Sequence, residues 1–182
     1  IDIGGGTTGI SVLSLGGLVI SRSIKTAGDS MNTAIVDYIR NTYNILVGEN
    51  MAESVKQKIS DVRETPSESL KMSIRGRCLD SGLPKSMQFT AVDVKRALDE
   101  SVDHIISAVR ETLDETPPEL AGDIIVDGIV LAGGGALLGG LAERISKATN
   151  LKVSVADEPL TCVVRGCGRA LEEINTLRRI SI

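Results

Sequence analysis

Residues 2–8, Asp-Ile-Gly-Gly-Gly-Thr-Thr, set a carboxylate, three consecutive glycines and two hydroxyls between apolar runs. Three glycines in a row interrupt any strand or helix and call for a turn. Asp2 then stands at the end of a first strand. A turn without side chains lets a ligand approach the backbone and directs several N–H groups at it, as a phosphate requires. Thr7 and Thr8 add hydroxyl donors. A carboxylate one step before such a cradle repels a bare phosphate, so its use there is beside a divalent cation or a polarised water. A glycine-rich hairpin turn with an exposed aspartate is the other reading of the same residues.

The pattern beyond the turn predicts an α/β fold. Apolar runs at 10–15 and 18–24, separated by Gly16-Gly17, complete a three-stranded antiparallel meander with the first strand. Asp29 is placed to cap a helix carrying Ile35, Ile39 and Leu46, which Gly48 breaks; a shorter helix follows over 50–59. Two strand-like stretches, 70–74 and 86–89, are divided by Arg75-Gly76-Arg77 and Asp80-Ser81-Gly82, both read as turns. Thr90 with Asp93 marks the start of a long amphipathic helix ended by Pro117-Pro118. Residues 128–132 read as a buried strand running into Gly133-Gly134-Gly135-Ala136, where amides at a helix start would suit an anion and close strand–helix packing fits equally. A helix over 137–148, a strand over 151–155 and a helix over 160–177 complete the chain.

A meander followed by alternating helices and strands is the layout of a ribonuclease-H-like unit. The expected organisation is a nucleotide-binding core over 1–28 and 89–158, a smaller inserted lobe over 29–88, and a C-terminal helix over 159–182. Composition excludes several classes. Two Tyr, one Phe and no Trp leave little to stack bases on, and a net charge of -4 argues against a phosphate-backbone binder, so no nucleic-acid partner is expected. Three cysteines without a CxxC pair and a single histidine make no structural zinc site and fit a reduced, intracellular protein. The cysteines read as small buried residues, and His104 as a surface side chain. The longest uncharged run, residues 128–142, carries six glycines and is too short to span a bilayer.

Taken together, the two glycine loops resemble those of the actin-like ATPase superfamily, and residues 2–8 resemble its second phosphate loop. The segments Ala27-Gly28-Asp29, Gly48-Glu49, Ala52-Glu53 with Lys56, 116–121, 131–138, Pro159-Leu160-Thr161-Cys162 and 166–171 resemble the MreB family within it, over essentially the whole chain. The resemblance implies that Gly4, Gly5, Gly6 and Thr7 contact the phosphates of ATP. It makes Asp2 the catalytic candidate, acting on the attacking water or on magnesium through water. Glu53 and Lys56 would flank the adenosine, with Gly133, Gly134, Gly135 and Ala136 on its other side. It further implies an ATPase of bacterial cell shape that self-associates into filaments, located in the cytoplasm at the inner face of the membrane with membrane proteins and the membrane surface as partners.

The chain starts at Ile1 as if in mid-strand and is expected to be a fragment, lacking the family's first phosphate loop and water-orienting glutamate. Half a cleft implies no measurable ATP turnover by this chain alone. Gly9 stands where the family usually carries an acidic residue. The rival readings are a metabolite kinase or phosphatase of the same superfold, and a structural or adaptor domain with a degenerate nucleotide site.

Overall fold

The computed structural model describes residues 1–173. Strands β1 (Asp2–Ile3), β2 (Thr8–Ser14) and β3 (Gly17–Ile24) form the antiparallel meander. Its hairpin turn is Leu15-Gly16, one residue earlier than the glycine pair suggests: both have positive φ, 50° and 77°, and Gly17 already pairs with Ser14. Two left-handed residues in succession match the twist of the flanking strands. Strands β7 (Ile129–Leu131) and β8 (Val153–Val155) pair in parallel, and Ala132 joins them to β1 through Ile3 N–H to Ala132 O at 2.9 Å and Ala132 N–H to Ile1 O at 2.7 Å. The strand order across this array is β3-β2-β1-β7-β8, with Asp2 and Ala132 at its centre.

Helix α1 (Gly28–Tyr43), β4 (Ile45–Leu46), α2 (Glu49–Ile59), β5 (Lys71–Cys78) and β6 (Pro84–Thr90) build a second, antiparallel sheet of order β4-β5-β6 within the segment expected to be an inserted lobe. Asp29 does not cap α1. Ala27 does, its N–H donating to Ser30 Oγ at 2.9 Å, while Asp29 sits in the first turn where a carboxylate favours the helix dipole. Arg75-Gly76-Arg77 is not a turn but the middle of β5, paired with Pro84 to Ser86. Glycine is needed there because a Cβ would lie 2.3 Å from Leu46 O, at the end of the neighbouring strand β4.

Helix α3 (Ala91–Asp114) opens with the expected capping box of Thr90 and Asp93 and packs against α1, β2 and β3. One buried cluster runs through both sheets, including Ile3, Ile35, Phe89, Leu98, Ile105 and Leu131. All three aromatic residues of the chain meet in it. Tyr38, Tyr43 and Phe89 stack edge to face with centroids 6.1–6.3 Å apart, and the Tyr43 hydroxyl donates to Asp93 Oδ1 at 2.6 Å. Burial pushes the Asp93 carboxyl up, but its bonds from Thr90 and Tyr43 outweigh that and hold it below its ordinary range.

The prolines that end α3 also begin α4 (Pro118–Asp127), a helix absent from the sequence expectation. Pro118 occupies the first helical position, where its missing N–H costs nothing, and Gly128 closes the helix at φ 80°. A 3₁₀ turn, Gly134–Leu137, precedes α5 (Leu141–Thr149), and α6 (Cys162–Glu172) ends the described chain; residues 174–177 of the expected last helix lie outside it. No described residue of α6 is buried, and Val163, Val164 and Leu171 are each more than half exposed. The cysteines are not buried either: Cys78 and Cys162 are half-buried and Cys167 is exposed, all free. His104 is exposed as expected, its Nδ1 2.6 Å from Thr26 Oγ1.

A buried carboxylate holds the α2–β5 connection in shape. Asp61 accepts two bonds from the Arg63 guanidinium, at 2.8 and 2.6 Å, and one from Ser67 N–H at 2.8 Å. The Arg63 bonds bring its pKa down to about 2. A depressed carboxylate adds stability that is present above its unfolded pKa and lost as pH falls through the folded value. The loss belongs between about pH 4 and pH 2, and is of order 1–2 kcal/mol after screening at the half-exposed Arg63. Chemical denaturation of native chain and Asp61→Asn should show the difference between them shrinking from pH 7 to pH 2.5.

Candidate functional site

The glycine turn is braced from behind. Gly4 N–H donates to Thr7 O at 3.0 Å, while Gly4 O accepts from Gly28 N–H at 3.0 Å and Gly5 O from Asp29 N–H at 2.8 Å. In a planar trans peptide the C=O of one residue and the N–H of the next point in opposite directions. Fixing Gly4 O and Gly5 O toward α1 therefore turns the N–H groups of Gly5 and Gly6 away from it. Gly5, Gly6 and Thr7 are exposed, and their three amides have no acceptor among the described residues. Successive unpaired amides of this kind form an anion-binding concavity.

Gly4, Gly5 and Gly6 all have ordinary backbone angles, and a Cβ on Gly6 would meet open space. The fold itself tolerates a side chain at Gly6; bare backbone there benefits an incoming ligand. Thr8 does not add a donor to the site. It is fully buried, and its hydroxyl donates to Thr26 O at 2.7 Å, closing the meander onto the start of α1.

The second glycine loop divides its tasks. Gly133 has φ 80°, and a Cβ on it would lie 2.4 Å from Ile3 O and 2.6 Å from Asp2 Oδ1; one on Gly135 would lie 2.2 Å from Ile3 Cγ2. Both let the loop pack on β1. Gly134 is exposed, with only Leu160 Cδ2 near its side-chain position. The loop opens a four-residue 3₁₀ turn, with α5 starting only at Leu141. Gly133 N–H donates to Pro159 O at 2.9 Å and Ala136 N–H to Gly133 O at 3.2 Å, so of the expected helix-start amides those of Gly134 and Gly135 are without an acceptor among the described residues.

From α2, Glu53 and Lys56 face these loops. The Glu53 carboxylate accepts from Asn32 Nδ2 and Gln57 Nε2 at 2.7 Å and pairs with Lys56 Nζ at 2.8 Å. These donors, Lys56 first, hold its carboxyl below the usual range despite burial. Asn32 Oδ1 is buried without a donor among the described residues. Lys56 Nζ also donates to Gly28 O at 2.9 Å.

These walls enclose a cleft of about 640 Å³ lined by Gly4, Gly5, Glu53, Lys56, Gly134 and Gly135. Of the remaining sequence candidates, Gly6 and Thr7 continue the exposed turn beyond that lining, Gly133 packs over Asp2 outside it, and Ala136 is the buried residue of the 3₁₀ turn. The cleft adds Gly28, Asp29, Met31, Gln57, Leu137, Leu138 and Leu160; all but Met31 and Gln57 fall in segments that resemble the family, yet none was marked as a site residue. A second groove of about 510 Å³ between β2, α3 and α4 is lined mainly by aliphatic side chains and contains neither glycine loop. No group of three His, Cys, Asp or Glu side chains able to hold a metal occurs among the described residues.

Comparison with known proteins matches residues 1–179 to the MreB/Mbl protein family. The cell shape-determining protein Mbl of Bacillus subtilis is 43% identical over 177 residues, 97% of this chain and 53% of Mbl. The crystal structure of MreB5 of Spiroplasma citri bound to AMPPNP superposes with a TM-score of 0.92 at 38% identity, over 100% of this chain and 54% of that one. A MamK double helical filament gives 0.79 at 28% identity, covering 94% and 53%. The chain thus spans about half the length of the relatives it matches.

Proposed function

This chain belongs to the MreB/Mbl family, and on that premise we propose that its cleft binds ATP and ADP. Phosphates lie on the amides of Gly5, Gly6 and Thr7, and the adenosine lies between Glu53 and the Gly134-Gly135 wall. The outward amides of Gly5 and Gly6, with the unpartnered Thr7 amide next to them, carry this reading, because successive free amides on a glycine turn form a cradle for an anion. Glu53, held ionised by three donors, is an acceptor for ribose hydroxyls. Magnesium would enter with the phosphates, Asp2 acting on it or on the attacking water through solvent. The nucleotide-bound MreB5 structure supports the ligand class.

The division into a core over 1–28 and 89–158, a lobe over 29–88 and a C-terminal segment over 159–182 is part of the same proposal. So is the activity of the longer protein: ATP-governed assembly into filaments that determine cell shape, supported by the MamK filament and by Mbl. Its further partners would be membrane proteins and the inner membrane surface, although no described helix is long and apolar enough to cross a membrane.

Calorimetric titration tests the site. ADP with magnesium should bind saturably to this chain at one site, and Gly6→Ala, which meets no protein atom, should weaken it about tenfold without changing the melting temperature. Absence of saturable binding by both ADP and ATP would overturn the reading. Hydrolysis should be unmeasurable, and sedimentation of the longer protein with and without ATP tests the filament assignment.

A further inference from the structure

We propose that Lys56 is a positioning residue of the phosphate turn, acting on it through two peptide units in series and not by contact with the base. The proposal rests on the nucleotide reading of the cleft. Lys56 Nζ donates to Gly28 O at 2.9 Å, and the peptide unit that carries Gly28 O carries Asp29 N–H at its other end. Asp29 N–H donates to Gly5 O at 2.8 Å, and the unit that carries Gly5 O ends in Gly6 N–H, one of the two amides turned outward. Ammonium, peptide 28–29 and peptide 5–6 therefore form one head-to-tail chain of donors whose last member faces the ligand.

Aligned hydrogen bonds polarise one another, by about 10–30% per bond, and a cation at the head of the chain adds to the dipole at its tail. The Lys56 side chain is only 13% exposed, so its charge is weakly screened. The approach is close as well. Lys56 Nζ and Gly5 Cα each lie 3.4 Å from the point where a Gly28 side chain would begin, and Gly4 O lies 3.3 Å from it. A side chain at 28 would be in tight contact with all three, so the lysine, the helix start and the turn meet at this point. Glu53 completes the arrangement by fixing the ammonium from the other side at 2.8 Å. Any ribose held by Glu53 therefore acts on the group that orients the phosphate donors.

The test compares native chain, Lys56→Met and Lys56→Arg, with Lys56→Gln in place of the methionine variant should that one fail to fold. Amide exchange is followed without ligand, and affinities are measured for adenosine, ADP and pyrophosphate. In Lys56→Met the Asp29 amide should exchange about tenfold faster, and ADP and pyrophosphate should bind about tenfold more weakly, while adenosine changes by less than about twofold. Lys56→Arg should restore both. Unchanged Asp29 exchange overturns the relay, and equal weakening of adenosine and ADP assigns Lys56 to the base instead. If the native chain binds none of the three ligands, the nucleotide reading fails, and Asp29 exchange still decides whether Lys56 orients the turn.

Discussion

Gly133→Ala should cripple the fold while Gly134→Ala leaves it intact, although the two stand side by side in one glycine run. At Gly133 a methyl group would have to occupy space 2.4 Å from Ile3 O, at φ 80°. Backbone at φ 80°, ψ 172° is a region only glycine occupies freely and costs another residue about 1–3 kcal/mol, and forcing a methyl into packed backbone costs about 1–3 kcal/mol more. The sum, about 3 kcal/mol, should lower the melting temperature by roughly 6–12 °C. The damage would centre on the contact between Ala132 and β1 that unites the sheet. At Gly134 the nearest atom is the movable end of Leu160, 3.3 Å away, and the backbone is not left-handed. That variant should melt within about 0.5 kcal/mol of the native chain. Its methyl group would stand on the cleft wall, so ADP affinity should fall instead. Thermal melts paired with ADP titrations separate the two roles, and equal melting temperatures would disprove the packing account of Gly133.

Phe89→Ala should produce the second large effect, about 3–5 kcal/mol in chemical denaturation. Phe89 is fully buried on β6, one residue before the Thr90 cap of α3, and is the ring shared by two edge-to-face pairs, with Tyr38 and Tyr43. Its removal leaves a cavity where α1, β6 and α3 meet and takes away the support that holds the Tyr43 hydroxyl on Asp93. Phe89→Leu fills most of the volume and should cost under half as much. A loss below about 1 kcal/mol for the alanine variant would mean that the junction collapses to close the gap.

Local chemistry made much of this structure readable. The Thr90–Asp93 box and the apolar runs of the first hairpin each act within a few residues, and the structure keeps them. The helix expected to carry Leu46 and break at Gly48 stops instead at Tyr43, where Asn44 turns left-handed at φ 57°, and Leu46 joins β4; Gly48 precedes α2. Arg75-Gly76-Arg77 misled because its glycine answers to Leu46, thirty residues earlier in the chain. Asp29 looked like a cap because its neighbour Ser30, which bonds Ala27, gives no stronger signal by itself. Helix α4 was hidden by a proline pair that is both a stop and a start. In the site, the sequence marked the glycines, Glu53 and Lys56, but not which peptide planes are locked. That depends on α1 amides reaching back to Gly4 and Gly5, a contact no short-range pattern encodes.

The gathering of every aromatic ring into one cluster has a practical consequence for spectroscopy. With no tryptophan, and both tyrosines beside the one phenylalanine, near-ultraviolet dichroism and intrinsic emission of this chain arise from a single junction of α1, β6 and α3. No aromatic residue lines the cleft. A ligand there has no ring to quench, so a tyrosine signal that moves on adding nucleotide would report rearrangement transmitted along α1, the helix whose first turn grips the glycine loop and whose last residue is Tyr43.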